Sequence, residues 1–209
     1  MPELRFRFEK RGRGAYLSHL DVMRTFQRAF IRAGIRLRHS EGFNPHPKMS
    51  IALPLQLGCE SVCEVLDVSL LEDEGDRDLL AALNAALPEG IRVLRAGEPS
   101  LAVKHIAWAE WLLSFPTEWE AGIAEEVLRL PSLPVEKKTK RGAGTLDIAP
   151  HIRLEAREGN CLRVLLKAGE PMINTGDVKK ALNARFPEEE RMRSLRLRFL
   201  KENMEAFED

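Results

Sequence analysis

The chain has 209 residues, of which 44% are hydrophobic, and its 32 basic and 32 acidic side chains give a net charge of zero. This length and composition suit a globular protein of one domain or two small domains. No segment approaches the roughly 18 apolar residues of a membrane span, and the charged start MPELRFRFEKRGRG lacks the apolar centre of a signal peptide. Three cysteines, an odd number, do not make a disulfide framework. We therefore expect a cytoplasmic protein that does not associate with a membrane.

The charge is unevenly distributed along the chain. Residues 1–54 carry eleven lysines and arginines against four acidic residues, whereas residues 58–99 carry ten acidic residues against three arginines. Such a separation predicts one surface that attracts anions and another that repels them.

The first half of the chain predicts the element order β-α-β-β-α-β. LRFRFEKRG alternates apolar and charged residues, which is typical of a strand. Ser18 and Asp21 predict a capping box, and Gly34 predicts the end of a helix over residues 19–33. The later elements are two extended segments around a proline-rich loop, then a strand, a helix and a closing strand: IRLRHS, KMSIALPLQLG, CEVLDVSLL, DRDLLAALNAAL and IRVLRAGEP.

The second half of the chain predicts a similar series of elements. The predicted strands are HIAWAEWLLSFP, VEKKTKR, TLDIAPHIRLEARE, CLRVLLKAG and MRSLRLRFLKE, and the predicted helices are TEWEAGIAEEVLRL and TGDVKKALNARF. The order βαββαβ is that of the ferredoxin-like unit, in which two helices cover one face of an antiparallel sheet. We therefore predict an α+β protein of two tandem ferredoxin-like units, residues 1–99 and 100–209.

The first helix carries an arginine stripe. At 100° per residue its apolar residues gather on one face and its arginines recur every four residues on another. The stripe is either a solvated helix face or a ridge that binds phosphate groups, because guanidinium groups match phosphate oxygens. The apolar residues are Val22, Met23, Phe26, Ala29, Phe30 and Ala33, and the arginines are Arg24, Arg28 and Arg32.

The segment HSEGFNPHPKMS, residues 39–50, cannot be the interior of a helix because Pro45 and Pro47 lack a backbone donor. Gly42 and Asn44 favour a turn. We expect Phe43 to anchor this loop in the core; the alternative is a platform on which a base stacks. The predicted nucleic-acid contacts in this half are Arg24, Arg28, Arg32, Arg38, His39, Asn44, His46 and Lys48.

A second basic block, KKTKRGAG, joins four positive charges to a flexible tip. It is either a solvated hairpin or an arm that follows a phosphate backbone. Asp147, just beyond it, is a candidate partner for an arginine. The predicted contacts in this block are Lys137, Lys138, Lys140 and Arg141.

Three segments carry a resemblance to a known family: SHLDVMRTFQRAFIRAGI, HSEGFNPHPKMSIALPLQLG and CEVLDVSL. They resemble the radical-SAM-linked family of uncharacterised bacterial domains, and KKTKRGAGTLDIAPHI is similar to that family's second, basic block. In that family the domain is fused to, or associated with, a cobalamin-binding radical S-adenosylmethionine protein. The resemblance therefore implies a radical SAM partner that carries an iron–sulfur cluster, S-adenosylmethionine and cobalamin.

The cysteine spacing indicates that this chain is not itself the radical enzyme. A radical SAM cluster needs three thiolates spaced CxxxCxxC, but GCESVCEV supplies only Cys59 and Cys63, and Cys161 stands alone. Their spacing is not that of a zinc finger or ribbon either. We therefore expect structural cysteines and no cofactor or metal in this chain.

Four side chains could support acid–base chemistry: Tyr16, His19, His39 and His46. The predicted fold would bring them near the same end of the first helix, although His19 projects toward the apolar face and is expected to be partly buried. Histidine exchanges protons near neutral pH and could activate an RNA 2′-hydroxyl. The CRISPR repeat-processing endonucleases are similar in outline, but this is an analogy of fold alone.

Three functional hypotheses follow. The preferred one is a non-catalytic accessory module that binds RNA or a ribonucleoprotein substrate for a radical SAM partner. The second is a metal-independent RNA endonuclease that uses His39 or His46, with Tyr16 as a further candidate. The third is a protein–protein adaptor. Steep salt dependence of binding would separate the first from the third.

Overall fold

A computed structural model describes residues 3–139, 142–184 and 192–207, except the side chains of Lys138, Thr139 and Ala143. The fold is mixed α+β, with mostly antiparallel strands and, in the described residues, four α-helices. The chain divides into two compact units, Met1–Val103 (unit 1) and Lys104–Phe207 (unit 2), and each is described by itself. Within the described residues, no helix is both long enough and apolar enough to cross a membrane.

Unit 1 is a four-stranded antiparallel sheet with two helices. The strands lie in the order β4-β1-β3-β2. Its elements are β1 (Glu3–Lys10), α1 (His19–Arg32), β2 (Met49–Ile51), β3 (Glu60–Ser69), α2 (Leu79–Ala86) and β4 (Ile91–Gly97). The extended segments predicted around the loop are shorter than expected, because residues 35–40 form only isolated bridges and just three residues of KMSIALPLQLG pair as a strand.

The predicted capping box of α1 is present. The Ser18 hydroxyl accepts a hydrogen bond from the Asp21 N–H (3.2 Å) and donates one to the Asp21 carboxylate (2.6 Å). The buried face of the helix consists of Val22, Phe26, Ala29 and Phe30. Phe8 of β1 meets Phe26 edge to face with ring centres 4.8 Å apart. The apolar stripe of α1 therefore packs on one face of the sheet, and local sequence alone predicts both its start and its buried side.

The opposite face of the unit 1 sheet holds an ion pair. The buried Arg5 donates from Nε and Nη2 to the two carboxylate oxygens of Asp67, at 2.6 and 2.9 Å. Its Nη1 donates to the Leu101 carbonyl at 2.7 Å. A guanidinium is suited to this bidentate geometry, and the pair joins β1 to β3.

Two glycines bring separate backbones of unit 1 into contact. The turn Gly12–Tyr16 leads into α1, and its Gly14 lies against Gly90, the residue before β4. A Cβ on Gly14 would collide with the Gly90 carbonyl oxygen, and a Cβ on Gly90 would lie 2.6 Å from the Gly14 nitrogen. Only glycine fits at either position.

Unit 2 contains four antiparallel strands of the main sheet and a separate two-stranded ribbon. The main strands lie in the order β10-β5-β9-β8, and β6 pairs with β7. Its elements are β5 (Trp108–Ser114), α3 (Glu118–Leu128), β6 (Pro134–Thr139), β7 (Gly142–Asp147), β8 (Ile152–Glu158), β9 (Cys161–Lys167), α4 (Thr175–Asn183) and β10 (Arg193–Leu200).

The single strand predicted for TLDIAPHIRLEARE is wrong. The segment is divided into β7 and β8 by a turn at Ala149–His151. Asp147 causes the break, because one carboxylate oxygen accepts hydrogen bonds from the N–H groups of Leu133 (2.7 Å) and Ala149 (3.0 Å). These bonds, with one from the Ser132 side chain, hold the pKa of Asp147 below its ordinary value. Backbone groups rather than an arginine are therefore its principal partners.

Candidate nucleic-acid interface

Residues 38–48 form an ordered loop at the edge of unit 1, called here the 38–48 loop. Its two arms are joined by hydrogen bonds from the Lys48 N–H to the Arg38 carbonyl (2.7 Å) and from the Ser40 N–H to the His46 carbonyl (2.8 Å). Ser69 at the end of β3 ties down both arms, because its carbonyl accepts from Arg38 and its N–H donates to Lys48. The loop is thus built like a short hairpin on a fixed base.

Phe43 lies at the tip of the 38–48 loop and is fully exposed, at 111% of its reference accessibility. The expected anchor in the core is therefore wrong. The core of unit 1 is already filled by the phenylalanines of β1 and α1, and the preceding Gly42 has a φ of +122°, which favours glycine. A single exposed apolar residue does not by itself mark a contact surface, but an aromatic ring at the tip of a hydrogen-bonded loop is accessible for stacking.

The residues on either side of Phe43 in the sequence include several exposed polar side chains. Asn44, His46 and Lys48 are exposed on one arm, and His39 is exposed on the other. Arg38 is half-buried at the base, with its guanidinium 3.7 Å from the Glu41 carboxylate. The 38–48 loop therefore combines an aromatic face with hydrogen-bonding and cationic groups.

The two histidines of the loop have defined ring orientations. Nδ1 of His39 lies 3.1 Å from the Leu37 carbonyl. Nδ1 of His46 lies 3.0 Å from the Ser40 hydroxyl and 3.4 Å from the Asn44 carbonyl. Since a carbonyl can only accept, the His39 contact fits a proton on Nδ1 with Nε2 as the acceptor. At His46 the closer Ser40 hydroxyl can donate or accept, so its contacts fit either tautomer.

The arginine stripe of α1 is only partly available for binding. Arg32 donates to the Ala86 carbonyl at 2.5 Å, so it links α1 to the end of α2. Arg24 is two-thirds exposed and lies 3.9 Å from Asp21, and Arg28 is exposed. Ile31, also exposed, interrupts the charged surface. All three arginines are exposed, but Arg32 is engaged by the Ala86 carbonyl, so Arg24 and Arg28 are the better candidates for binding.

The four residues predicted to meet at one end of α1 do not do so. Tyr16 and His19 lie at its N-terminal end, whereas the 38–48 loop follows its C-terminal end. A helix of 14 residues is about 21 Å long, so Tyr16 lies too far along the helix to act with His39 or His46. Tyr16 is three-quarters exposed.

His19 instead borders a narrow cavity that sequence reasoning missed. The cavity has room for roughly one water molecule, and the buried charged residues Lys10 and Glu64 also line it. As expected, His19 itself is partly buried. The sequence signal for this cavity is Glu64, an acidic residue within the predicted strand CEVLDVSLL. In the structure Glu64 pairs with Phe8, whose ring packs on the helix side of the sheet, so Glu64 lies on that side too.

In the second basic block, KKTKRGAG, the described cation Lys137 has a structural role. Lys137 donates to the Asp177 carboxylate at 3.0 Å and to the Met172 carbonyl, and it is mostly buried. It therefore holds β6 against the start of α4. Lys140 and Arg141 lie outside the described residues, as does the side chain of Lys138.

The cysteines are separate from these surfaces. Cys59 and Cys63 are buried, and the sulfur of Cys161 lies 3.3 Å from the Ser114 hydroxyl. Across residues 3–139, 142–184 and 192–207, no group of three or more His, Cys, Asp or Glu side chains is placed to hold a metal ion.

Comparison with protein families identifies the chain. A bacterial family described as an uncharacterized protein conserved in bacteria, DUF2344, matches residues 3–179. The chain belongs to this family. No curated protein matches it. In this DUF2344 protein the matched segment contains the 38–48 loop, the stripe on α1 and Lys137, so all the described candidate contacts lie in the part that defines the family.

Proposed function

We propose that this DUF2344 protein is a non-catalytic module that binds RNA through the 38–48 loop. The observation that carries the proposal is the full exposure of Phe43 at the tip of an ordered loop. An exposed ring on a fixed base can stack on an unpaired base, which contributes about 1–3 kcal/mol per base. Asn44 and the two histidines supply hydrogen bonds for base edges, and Lys48 supplies a charge for a phosphate.

The bound RNA is presented to a radical SAM partner in this proposal. Support comes from the sequence resemblance and from the lack of a CxxxCxxC motif in this chain. The iron–sulfur cluster, S-adenosylmethionine and cobalamin belong to the partner. The cysteines are all free and two are buried, which suits the reducing conditions of the cytoplasm.

The tandem ferredoxin-like fold is also a proposal, and the strand orders support it. In unit 1, β3 lies between β1 and β2 and pairs antiparallel with both, which is the split βαβ arrangement. In unit 2, β9 lies in the same way between β5 and β8. The β6–β7 ribbon is then an insertion between α3 and β8.

The experiment that tests RNA binding is ultraviolet crosslinking in the protein's own cells, followed by purification and sequencing of the attached RNA. The wild-type chain is compared with Phe43→Ala and Arg24→Glu/Arg28→Glu, which spare the structural Arg32. Leu57→Ala, another exposed apolar residue, and Lys104→Glu, another exposed cation, are the matched controls. We expect a discrete RNA set that only the first two variants lose.

The proposal is overturned if the wild-type chain crosslinks no RNA above background. Recovery of a protein in place of RNA would then favour the adaptor function. The radical SAM partner is tested separately, by co-purification of the tagged chain with an enzyme that contains a radical SAM motif.

An endonuclease is a second candidate because of the histidine rings. The Leu37 contact of His39 leaves its Nε2 as an acceptor, and an acceptor nitrogen can take the proton of a 2′-hydroxyl. Cleavage of labelled RNA in the presence of EDTA, lost in His39→Ala or His46→Ala, would establish this function. Intact RNA after prolonged incubation with the wild-type chain would exclude it.

A further inference from the structure

The four main-sheet strands of unit 2 have one face turned away from α3. Arg157 of β8 points toward α3, because its Nε lies 2.7 Å from the Glu125 carboxylate. Side chains alternate along a strand, and residues in register on antiparallel strands point to the same face. Arg163 follows Leu162, the register partner of Arg157. It therefore points away from α3, to the side called here the open face of unit 2.

Positive charge dominates the open face. In the described part of unit 2, register places two carboxylates on it, Glu110 and Glu158, and five cations: Arg153, Arg163, Lys167, Arg193 and Arg198. Five cations against two carboxylates leave a formal surplus of three positive charges.

Two of these arginines converge on one buried carboxylate. Arg163 donates from Nη1 to Oε1 of Glu110 at 3.2 Å, and Arg198 donates from Nε to Oε2 of the same group. Glu110 is 3% exposed, whereas the two arginine side chains are 40% and 58% exposed. One carboxylate balances only one of the two positive charges. Within the described residues neither guanidinium makes a further hydrogen bond, so its other N–H donors can bind a partner.

The other cations of the open face also keep their charge. The guanidinium of Arg153 lies over the Trp108 ring, 4.5 Å from its centre, and 3.5 Å from the Met204 sulfur, and both of these groups are neutral. Arg193 is exposed, and in the part of the chain that the structure describes neither it nor Lys167 has an acidic partner. Contacts within the chain therefore leave the surplus of positive charge in place.

Apolar side chains lie among the arginines. Leu112 is in register with Leu195 on one side and with Arg163 on the other, and both leucines are half-buried. Four of the five cations are arginines rather than lysines. Protein–protein interfaces have this composition, with arginine enriched and lysine depleted around an apolar centre.

The open face lacks the exposed ring that binding of single-stranded RNA uses. Trp108 is the only aromatic residue that register places on it among the described residues. Its side chain is buried, beneath Arg153 and against Met204, so a base cannot stack on it. Guanidinium groups also bind carboxylates in bidentate geometry. The composition of the face therefore fits an acidic protein better than a nucleic acid.

We propose that the open face of unit 2 docks an acidic surface of another protein. Charge complementarity carries the choice of partner, because Asp and Glu side chains balance the surplus of positive charge. A second copy of this chain fits less well, since several of its own acidic residues already hold arginines: Asp67 binds Arg5, Glu72 binds Arg36 and Glu74 binds Arg77. The proposal goes beyond RNA binding and shares no residue with the 38–48 loop.

Carbodiimide crosslinking tests the acidic partner directly, because the reagent joins an amine to a carboxylate that is in contact with it. Lys167 supplies the amine on the open face. The tagged full chain is treated in a lysate of its own cells, and crosslinked peptides are identified by mass spectrometry. We expect Lys167 joined to an Asp or Glu of another protein. A crosslink from Lys167 to a second copy of this chain, or no intermolecular product at Lys167, would overturn the proposal.

The crosslinked protein is then purified, and titration calorimetry measures its affinity for variants of the open face. Arg193→Glu/Arg198→Gln should bind at least about tenfold more weakly, while Arg163 remains to pair with Glu110. Glu158→Gln should bind more tightly, because it removes a negative charge from the face. Lys104→Glu, an exposed cation of unit 2 that precedes β5, is the matched control and should bind as wild type.

Thermal melts establish that the variants are folded, and Arg193→Glu alone, at an exposed position, replaces the double variant if that protein is unstable. Equal affinities of wild type, the arginine variants and Lys104→Glu would contradict the proposal.

The ultraviolet crosslinking experiment separates a protein partner from RNA on this face. Arg193→Glu/Arg198→Gln should crosslink RNA with wild-type yield. A lower yield would assign the open face to RNA and overturn the proposal. Phe43→Ala should keep the carbodiimide product at Lys167, so RNA binding at the 38–48 loop and docking at the open face can fail separately.

Discussion

At the scale of single residues, substitution of the exposed Phe43 can test binding without changing stability. A buried phenylalanine such as Phe30 supports the core, and its replacement by alanine typically costs about 3–5 kcal/mol. Phe43 has no such packing to lose. Any defect caused by its removal therefore reports on what the loop contacts outside the chain.

We predict that Phe43→Ala lowers affinity for single-stranded RNA by about tenfold, the equivalent of one lost stacking contact. Its Tm should equal that of wild type. Fluorescence anisotropy with labelled RNA and a thermal melt measure the two quantities, with Leu57→Ala as control. A lower Tm with unchanged affinity would contradict the assignment of Phe43 to the interface.

The Arg5–Asp67 pair gives a second prediction at this scale, because its partners differ in burial. Arg5 is 3% exposed and Asp67 is 30% exposed. Asp67→Asn removes the negative charge that Nε and Nη2 of the buried Arg5 contact, and we expect it to reduce the free energy of unfolding by about 3 kcal/mol. Arg5→Met leaves a carboxylate that water can reach, so its cost should be smaller.

Urea unfolding of both variants measures this asymmetry, with the double variant Arg5→Met/Asp67→Asn completing the cycle. Equal losses in the two single variants would show that burial does not decide the cost. The double variant should be more stable than Asp67→Asn, because it leaves no buried charge.

At the scale of elements, α1 depends on a local capping box whose strength varies with pH. Hydrogen bonds from the Ser18 side chain and backbone lower the pKa of Asp21. A carboxylate with a lowered folded-state pKa stabilises the fold above its unfolded pKa, near 4, and loses that contribution as the pH falls through the lowered value.

We therefore predict that Ser18→Ala destabilises the protein by about 1 kcal/mol at pH 7 and by less at pH 3. Urea unfolding at the two pH values tests this. Asp21→Asn should likewise approach wild-type stability at pH 3. A cost of Ser18→Ala that stays constant with pH would show that the carboxylate is not coupled to the cap.

The elements that sequence predicts well are those fixed by neighbouring residues. Ser18, Asp21 and Gly34 define α1, and alternation in LRFRFEK defines β1, because the responsible contacts lie within a few residues. The β-bulge between β1 and β4 escaped prediction: Phe8 pairs with Val93 but Arg7 pairs with Arg95, so Leu94 is an extra residue that simple alternation does not reveal. The break at Asp147 depends on Leu133, fourteen residues away. Contacts of this kind are not visible in a local pattern.

At the scale of the whole molecule, the candidate site was predicted only in part because many cations serve the fold. The sequence shows where positive charge is dense, but not which charges are already neutralised. Arg36 pairs with Glu72, and Arg163 and Arg198 pair with the buried Glu110. The remaining exposed cations near the candidate interface in sequence are Arg24, Arg28 and Lys48.

Because few cations are available, we predict a measurable salt dependence of RNA binding that is less steep than the charge density of the sequence alone indicates. Each neutralised phosphate contributes about −0.7 to the slope of log affinity against log salt for a single strand, so three contacts give about −2. Anisotropy titrations across salt concentrations measure it. Arg24→Glu/Arg28→Glu should flatten the slope, whereas Phe43→Ala should lower affinity at every salt concentration without changing it.

The contact between Gly14 and Gly90 bears on how this family's sequences diverge. A side chain at either position would strike the other backbone, so neither glycine can be exchanged while the other stays in place. An alignment of relatives should show both positions as nearly invariant, although neither belongs to the 38–48 loop. Invariance there reflects selection for close backbone packing, and variation at Phe43 is the more informative signal of a changed ligand.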